Sequence, residues 1–112
     1  MSTDSPFVRS SERVSFRPEK MTKCGLFASE RMFCDVYCLL PGQEQRLHRH
    51  AGSDKIYFAL EGEVVATVGA ESRTLGPGDA AWSAPDIEHG LRNDSDAPAK
   101  VLVFMSPPPP PH

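Results

Sequence analysis

From Met21 onward the chain is cut into many short apolar segments by turn residues. The breaks are Pro41-Gly42, Ala51-Gly52-Ser53-Asp54, Glu61-Gly62, Gly69, Gly76-Pro77-Gly78, Pro85-Asp86 and Asn93-Asp94-Ser95-Asp96. Each combines a residue that fixes or frees φ with side chains that bond their own backbone, which is the chemistry of a turn. Between the breaks no segment sustains a 3.6-residue period, so the pattern predicts strands. They are expected at Lys23–Ala28, Arg31–Leu40, Gln45–His50, Lys55–Leu60, Glu63–Val68, Ser72–Leu75, Ala80–Ser83, Ile87–Asn93 and Lys100–Met105. So many short strands must satisfy their edges, and a sandwich or barrel does so where an open sheet does not. The expected fold class is therefore all-β, with an interior able to hold one small ligand.

The 112 residues suit a single domain, since a chain of this size buries about two-thirds of its unfolded surface. The expected organisation is an N-terminal arm over 1–20 interrupted by Pro6 and Pro18, a barrel domain over 21–106, and a proline-rich tail over 107–112. Within the arm, Val14-Ser15-Phe16 is expected to add a short edge strand. The tail's run Pro107–Pro111 favours polyproline II, because proline donates no backbone hydrogen bond. A formal charge of -3 with scattered Lys and Arg offers no face for a phosphate backbone, which argues against nucleic acid as a partner. No apolar run is long enough to span a membrane, and the start Met1-Ser2-Thr3-Asp4-Ser5-Pro6 lacks the features of a signal peptide, so a cytoplasmic location is expected. Cys24, Cys34 and Cys38 are odd in number and contain no CxxC pair, so they read as small buried hydrophobes rather than a disulfide or zinc framework.

Three of the four histidines fall in two punctuated segments, Gly42–Gly62 and Gly78–Asn93. His48 and His50 stand at i and i+2, so on one strand they point to the same face while Arg49 points away. His89 belongs to a strand much later in the chain, and a closed barrel brings such strands together. Neutral imidazole is a good ligand for one divalent transition metal, whether Fe, Ni, Cu, Mn or Zn. An HxH pair by itself is equally a pair of surface histidines.

The surrounding pattern sharpens the reading. The run Gly42-(5 residues)-His48-Arg49-His50-(4 residues)-Lys55-(6 residues)-Gly62 resembles the first motif of the cupin superfamily, in which a glycine precedes HxH, a carboxylate and a glycine turn. Gly78-Asp79 through Pro85, His89 and Asn93 resembles the second. The resemblance implies a small single-domain cupin, a double-stranded β-helix or jelly-roll barrel, in the manner of small cupins a homodimer, with a metal on His48, His50 and His89.

Two departures qualify it. Lys55 stands where the family carries its glutamate ligand, and Asp54 is one residue out of register, so in a regular strand it faces the other side unless a bulge turns it inward. Ala84 stands where the family proline falls and Asp86 where its glycine falls, which alters a turn. A site of three neutral ligands leaves the metal its full charge and favours anionic or chelating molecules. This is similar to three-histidine iron cupins, among them thiol dioxygenases and some diketone-cleaving enzymes.

Lys55 and Tyr57 are the candidate catalytic groups. An inward Lys55 would serve as a base or pair with a substrate carboxylate, whereas an ordinary one would extend its amine to solvent or pair with a carboxylate. Tyr57 shares its face and could donate a proton or hydrogen bond. It could also be a barrel tyrosine satisfied by backbone. Parity puts Ile56, Phe58 and Leu60 on the opposite face, read as packing between sheets. Gln45 and Glu44 could rim the mouth, Trp82 and Phe104 could line or plug an apolar wall, as could Leu47, and Asn93 is expected to fix a turn. No GxSxG or phosphate-loop pattern is present. The expected function is a metal-dependent enzyme, dioxygenase- or isomerase-like, acting on a small oxygenated or acidic molecule. The rival readings are a noncatalytic small-ligand-binding cupin and a structural dimer.

Overall fold

A computed structural model describes residues 5–109. Nine strands follow one another: β1 (Thr22–Ala28), β2 (Phe33–Leu39), β3 (Glu44–His48), β4 (Asp54–Glu61), β5 (Val64–Val68), β6 (Glu71–Leu75), β7 (Ala80–Ser83), β8 (His89–Arg92) and β9 (Ala99–Ser106). They form a five-stranded sheet in the order β1-β2-β9-β4-β7 and a four-stranded sheet in the order β3-β8-β5-β6. All pairings are antiparallel. This is the all-β architecture expected from the turn spacing, in the jelly-roll form that the cupin resemblance implies. The single helical piece among the described residues is a 3-10 turn at Ser10–Glu12.

Register explains how polar groups reach the interior. Across the larger sheet, Lys23 lies opposite Tyr37, Tyr37 opposite Val101, and Val101 opposite Ala59. One step along, Asp35 meets Val103, which meets Tyr57, and Phe33 meets Met105, which meets Lys55. With a side-chain period of two, these residues all face inward. Tyr37, Leu39, Tyr57, Ala59, Val101 and Val103 join Val64, Ala66, Leu75 and Leu91 of the smaller sheet in one core.

The opposite face differs from expectation. Ile56, Phe58 and Leu60 do not pack between the sheets; they lie on the outer surface of β4, partly exposed, beside Phe104. Trp82 is 61% exposed, and its indole N–H donates to Asp54 Oδ1 at 2.8 Å, so neither Trp82 nor Phe104 walls the interior. The expectation assumed cover on both sides of the sheet, whereas at these positions only the inner side is covered.

The arm covers part of the outer face. Val14 and Phe16 pack on Cys24, Val36 and Cys38, and Gln43 Nε2 donates to the Arg17 carbonyl at 2.7 Å. Residues 14–16 form no strand; the Ser15 carbonyl instead accepts from the Thr22 hydroxyl. All three cysteines are free thiols, with Cys24 and Cys38 buried. Of the tail, the Pro107 carbonyl accepts from Ser53 Oγ at 2.8 Å. The rest of the polyproline expectation, from Pro110 to His112, lies outside the described residues.

Candidate metal centre

The site depends on an irregularity in β3. Gln45 lies opposite Leu91 and His48 opposite His89, so β3 advances three residues while β8 advances two. One extra residue is a bulge, and it reverses side-chain parity. Gln45 and His48 are an odd number of positions apart, yet both face inward, while Leu47 is thrown out to solvent. Gly90 permits the approach, because a Cβ there would come within 2.7 Å of the Gln45 carbonyl oxygen. His50 lies just past the end of β3 rather than within it, and its carbonyl accepts from the Asp86 N–H at 3.0 Å. Asp86 adopts φ 68 at the position where the resemblance expects glycine, a conformation that aspartate tolerates better than most residues.

His48, His50 and His89 converge, with one ligand atom from each lying within 4.8 Å of the others. Their ring centroids are 4.4 Å apart for His48–His89 and 4.8 Å for His48–His50. Asp54 faces away, as regular alternation requires, so among the described residues no carboxylate joins the set.

Hydrogen bonds select the tautomers. His89 Nδ1 lies 3.0 Å from the Ile87 carbonyl and 3.0 Å from Ser83 Oγ, whose own proton goes to the Ile87 carbonyl oxygen. Nδ1 therefore carries the hydrogen, leaving a lone pair on Nε2. That Nε2 is buried without any partner. His48 is arranged alike, with Nδ1 donating to the Arg46 carbonyl at 2.7 Å. Fixing one imidazole nitrogen on a carbonyl so that the other presents its lone pair is how proteins orient metal-binding histidines.

All three imidazoles are held below their ordinary range, chiefly by burial; His89 falls to about 4. Neutral imidazole is the ligating form. The same shift sets a pH dependence. Between about 6.5 and about 4 the unfolded chain binds a proton at this residue and the folded chain does not. The contribution to stability is complete above that window and is lost as pH falls through it. Urea denaturation of chelator-treated protein is expected to show a midpoint that declines from pH 7 to pH 4, with a shallower decline in His89→Gln. Parallel curves for the two proteins would contradict it.

His48 and His50 line a cavity of about 400 Å³ together with Lys23, Asp35, Tyr37 and Lys55 of the larger sheet and Gln45 of β3. Lys55 does not extend to solvent: it is 2% exposed, with Nζ 5.5 Å from the Tyr37 ring centroid and 5.4 Å from that of Tyr57. Burial, reinforced by Lys23 and opposed by Asp35, draws its pKa down to about 7. Tyr57 is fully buried, and burial raises its pKa, so it stays protonated. Its hydroxyl donates to Gln45 Oε1 at 2.6 Å, a side-chain partner rather than backbone. Asp35, Tyr37 and Lys23 escaped the sequence reading. An aspartate inside the apolar run Phe33–Leu40 was the available signal, because strands disfavour it unless it faces a polar site.

An antiparallel two-sheet jelly-roll barrel that brings His48 at the end of β3, His50 just beyond it and His89 of the neighbouring β8 together beside a small cavity defines a β-barrel protein with a candidate single-metal site. The family model for the cupin domain matches residues 35–105, and the chain belongs to the cupin family. It is 48% identical to TT1209 of Thermus thermophilus, whose crystal structure superposes with a TM-score of 0.90 over 94% of this chain and 100% of that one. It is 33% identical over 98 residues to the uncharacterized protein MJ1618 of Methanocaldococcus jannaschii, covering 79% of this chain and 78% of the relative. A predicted oxalate decarboxylase from Thermotoga maritima, 20% identical, shares the fold at a TM-score of 0.77 over 89% of this chain and 97% of its own.

Proposed function

We propose that this cupin holds one divalent transition metal on His48, His50 and His89 and is an enzyme acting on a small oxygenated or acidic molecule, in a dioxygenase- or isomerase-like reaction. The observation that carries the reading is the buried, unpartnered Nε2 of His89, held in a ligating tautomer by Ser83 and Ile87. An orphaned buried acceptor costs about 1–3 kcal/mol, which binding a cation there would offset. A bound metal would act as a Lewis acid or bind oxygen beside the substrate.

The chain's own groups then have distinct tasks. Lys55, on the larger sheet and lining the same cavity as His48 and His50, meets the substrate as a cation or a base. Tyr57 acts through Gln45, since its proton is committed to Gln45 Oε1. Leu47, Trp82 and Phe104 are all exposed and none of the three lines the cavity, which favours a working site over a vestigial one. The rival reading is a noncatalytic binder of the same class of molecule. We further propose a cytoplasmic homodimer, joined through the apolar outer face that carries Ile56, Phe58 and Phe104.

Elemental analysis of protein purified without added metal is expected to give about one transition-metal ion per chain, at a mass of two chains by light scattering. An oxygen-uptake screen across small thiols, diketones and hydroxy acids then separates the chemistries. Iron with oxygen uptake supports the dioxygenase form; absence of any metal overturns the proposal.

A further inference from the structure

We infer that the Lys55, Lys23 and Gln45 side chains form a carboxylate anchor beside the histidines, so that the molecule this cavity takes is a short acid carrying a second oxygen group for the histidine side: a dicarboxylate, or a hydroxy or oxo acid. The inference rests on the metal reading for the second oxygen group only. The anchor stands on its own residues.

Three donors without a protein partner among the described residues make it. Lys55 is buried between two tyrosine rings, and among the described residues it takes part in no ion pair or hydrogen bond with a protein acceptor. Lys23, on β1, brings a second ammonium to the same Tyr37 ring, at 5.5 Å from its centroid, and it too has no ion pair among those residues. Gln45 is 8% exposed; its Oε1 accepts from Tyr57, which fixes the amide so that Nε2 is the free end, and that Nε2 has no partner. All three line one cavity.

Charge and size narrow the occupant. Among the described residues Asp35 is the one carboxylate lining the cavity, and it forms no ion pair with either lysine. Arg46 adds another cation to the lining. The adjoining cleft, which shares Lys23 and Gln45 with this cavity, is lined by Arg13, Arg17 and Lys20 against Glu44. A buried ammonium is costly unless paired, and neither water nor a neutral molecule supplies the missing charge. A carboxylate does, accepting from both ammonium groups and from the amide through its several lone pairs. A cavity of about 400 Å³ has ample room for a short acid. Where the family carries a glutamate ligand this chain presents a cation, so Lys55 favours an anion by charge.

Calorimetric titration of malonate and succinate, with succinamide as the uncharged control, into zinc-loaded and chelator-treated protein tests the anchor. At least one of the two acids is expected to bind about tenfold or more tighter than succinamide. Lys55→Gln is expected to lose about tenfold or more of that affinity, and Lys23→Gln, a change at an exposed strand position that leaves the fold intact, about threefold or more. Elemental analysis of each loaded sample keeps the two ideas apart. A wild-type protein that takes up no zinc sinks the metal reading, and the anchor is then read from the chelator-treated titrations. Acid binding that is undetectable, or unchanged in both variants, overturns the anchor whatever the metal content.

Discussion

His89→Ala is expected to leave the barrel folded and nearly free of metal, with occupancy falling from about one ion per chain to below about a tenth. His89 is the most buried of the three imidazoles, 2% exposed, and the only one whose Nδ1 is held by two partners, so its Nε2 is the best oriented donor of the set. Loss of even an outer partner of a ligand costs roughly ten- to a hundredfold in metal affinity, and loss of the ligand itself should cost more than about a hundredfold. His48 and His50 alone leave two donors, one at the end of β3 and one in the loop beyond it. Thermal melts give a second measurement. A ligand that binds only the folded state raises its stability with concentration, so zinc should raise the wild-type midpoint and leave that of His89→Ala unmoved. Full occupancy in the variant, or equal shifts in the two proteins, would remove His89 from the site. The substitution is not expected to unfold the chain, because it also removes a buried nitrogen that has no partner in the metal-free fold.

Which parts of this site were legible in the sequence depends on what sets side-chain direction. Where a strand is regular, period-two alternation suffices: Lys55 and Tyr57 face inward and Asp54 outward, as β4 requires. The turn residues marked all nine strands because the chemistry of turns is local. Gln45 was another matter. Its inward direction together with that of His48 requires the β3 bulge, and a bulge depends on the partner strand, here on Gly90 of β8 admitting the Gln45 carbonyl. No reading of residues 44–48 alone contains that information. Asp35 and Tyr37 were missed for a related reason: β2 is buried on both faces, by the core and by the arm, so its apolar run carries no alternation to show which face each residue takes. The outer face of β4 failed in the opposite sense. Ile56, Phe58 and Leu60 are apolar at alternate positions, a pattern that reports a face meant for cover without saying what covers it.

Asn93 shows how the frame holds the site, and Asn93→Ala is expected to be the most damaging single change to the fold, by about 3–5 kcal/mol. The side chain is fully buried and fully bonded. Nδ2 donates to the carbonyls of Leu39 and Ala97, each at 2.9 Å, and Oδ1 accepts from the Ser95 N–H at 2.9 Å and the Ser95 hydroxyl at 2.7 Å. Its backbone adds bonds to Gln43 and Gly42. One residue thus ties the end of β2, the turn into β3, the end of β8 and the loop into β9. Alanine takes the side-chain partner from the Leu39 carbonyl and the Ser95 N–H, each at about 1–3 kcal/mol where water cannot replace it, while the Ala97 carbonyl keeps the Ser95 hydroxyl at 3.0 Å. Against a total stability of about 5–15 kcal/mol that is a large fraction, read as a fall in melting temperature of roughly 15 °C. Ser95→Ala, which keeps the carbonyl bonds and the Ser95 N–H, is expected to cost less than about a third as much. Equal losses in the two variants would place the effect in the Ser95 turn alone. A larger loss in Asn93→Ala, with weakened metal retention, would tie the lock directly to His89, which opens the strand that Asn93 closes off.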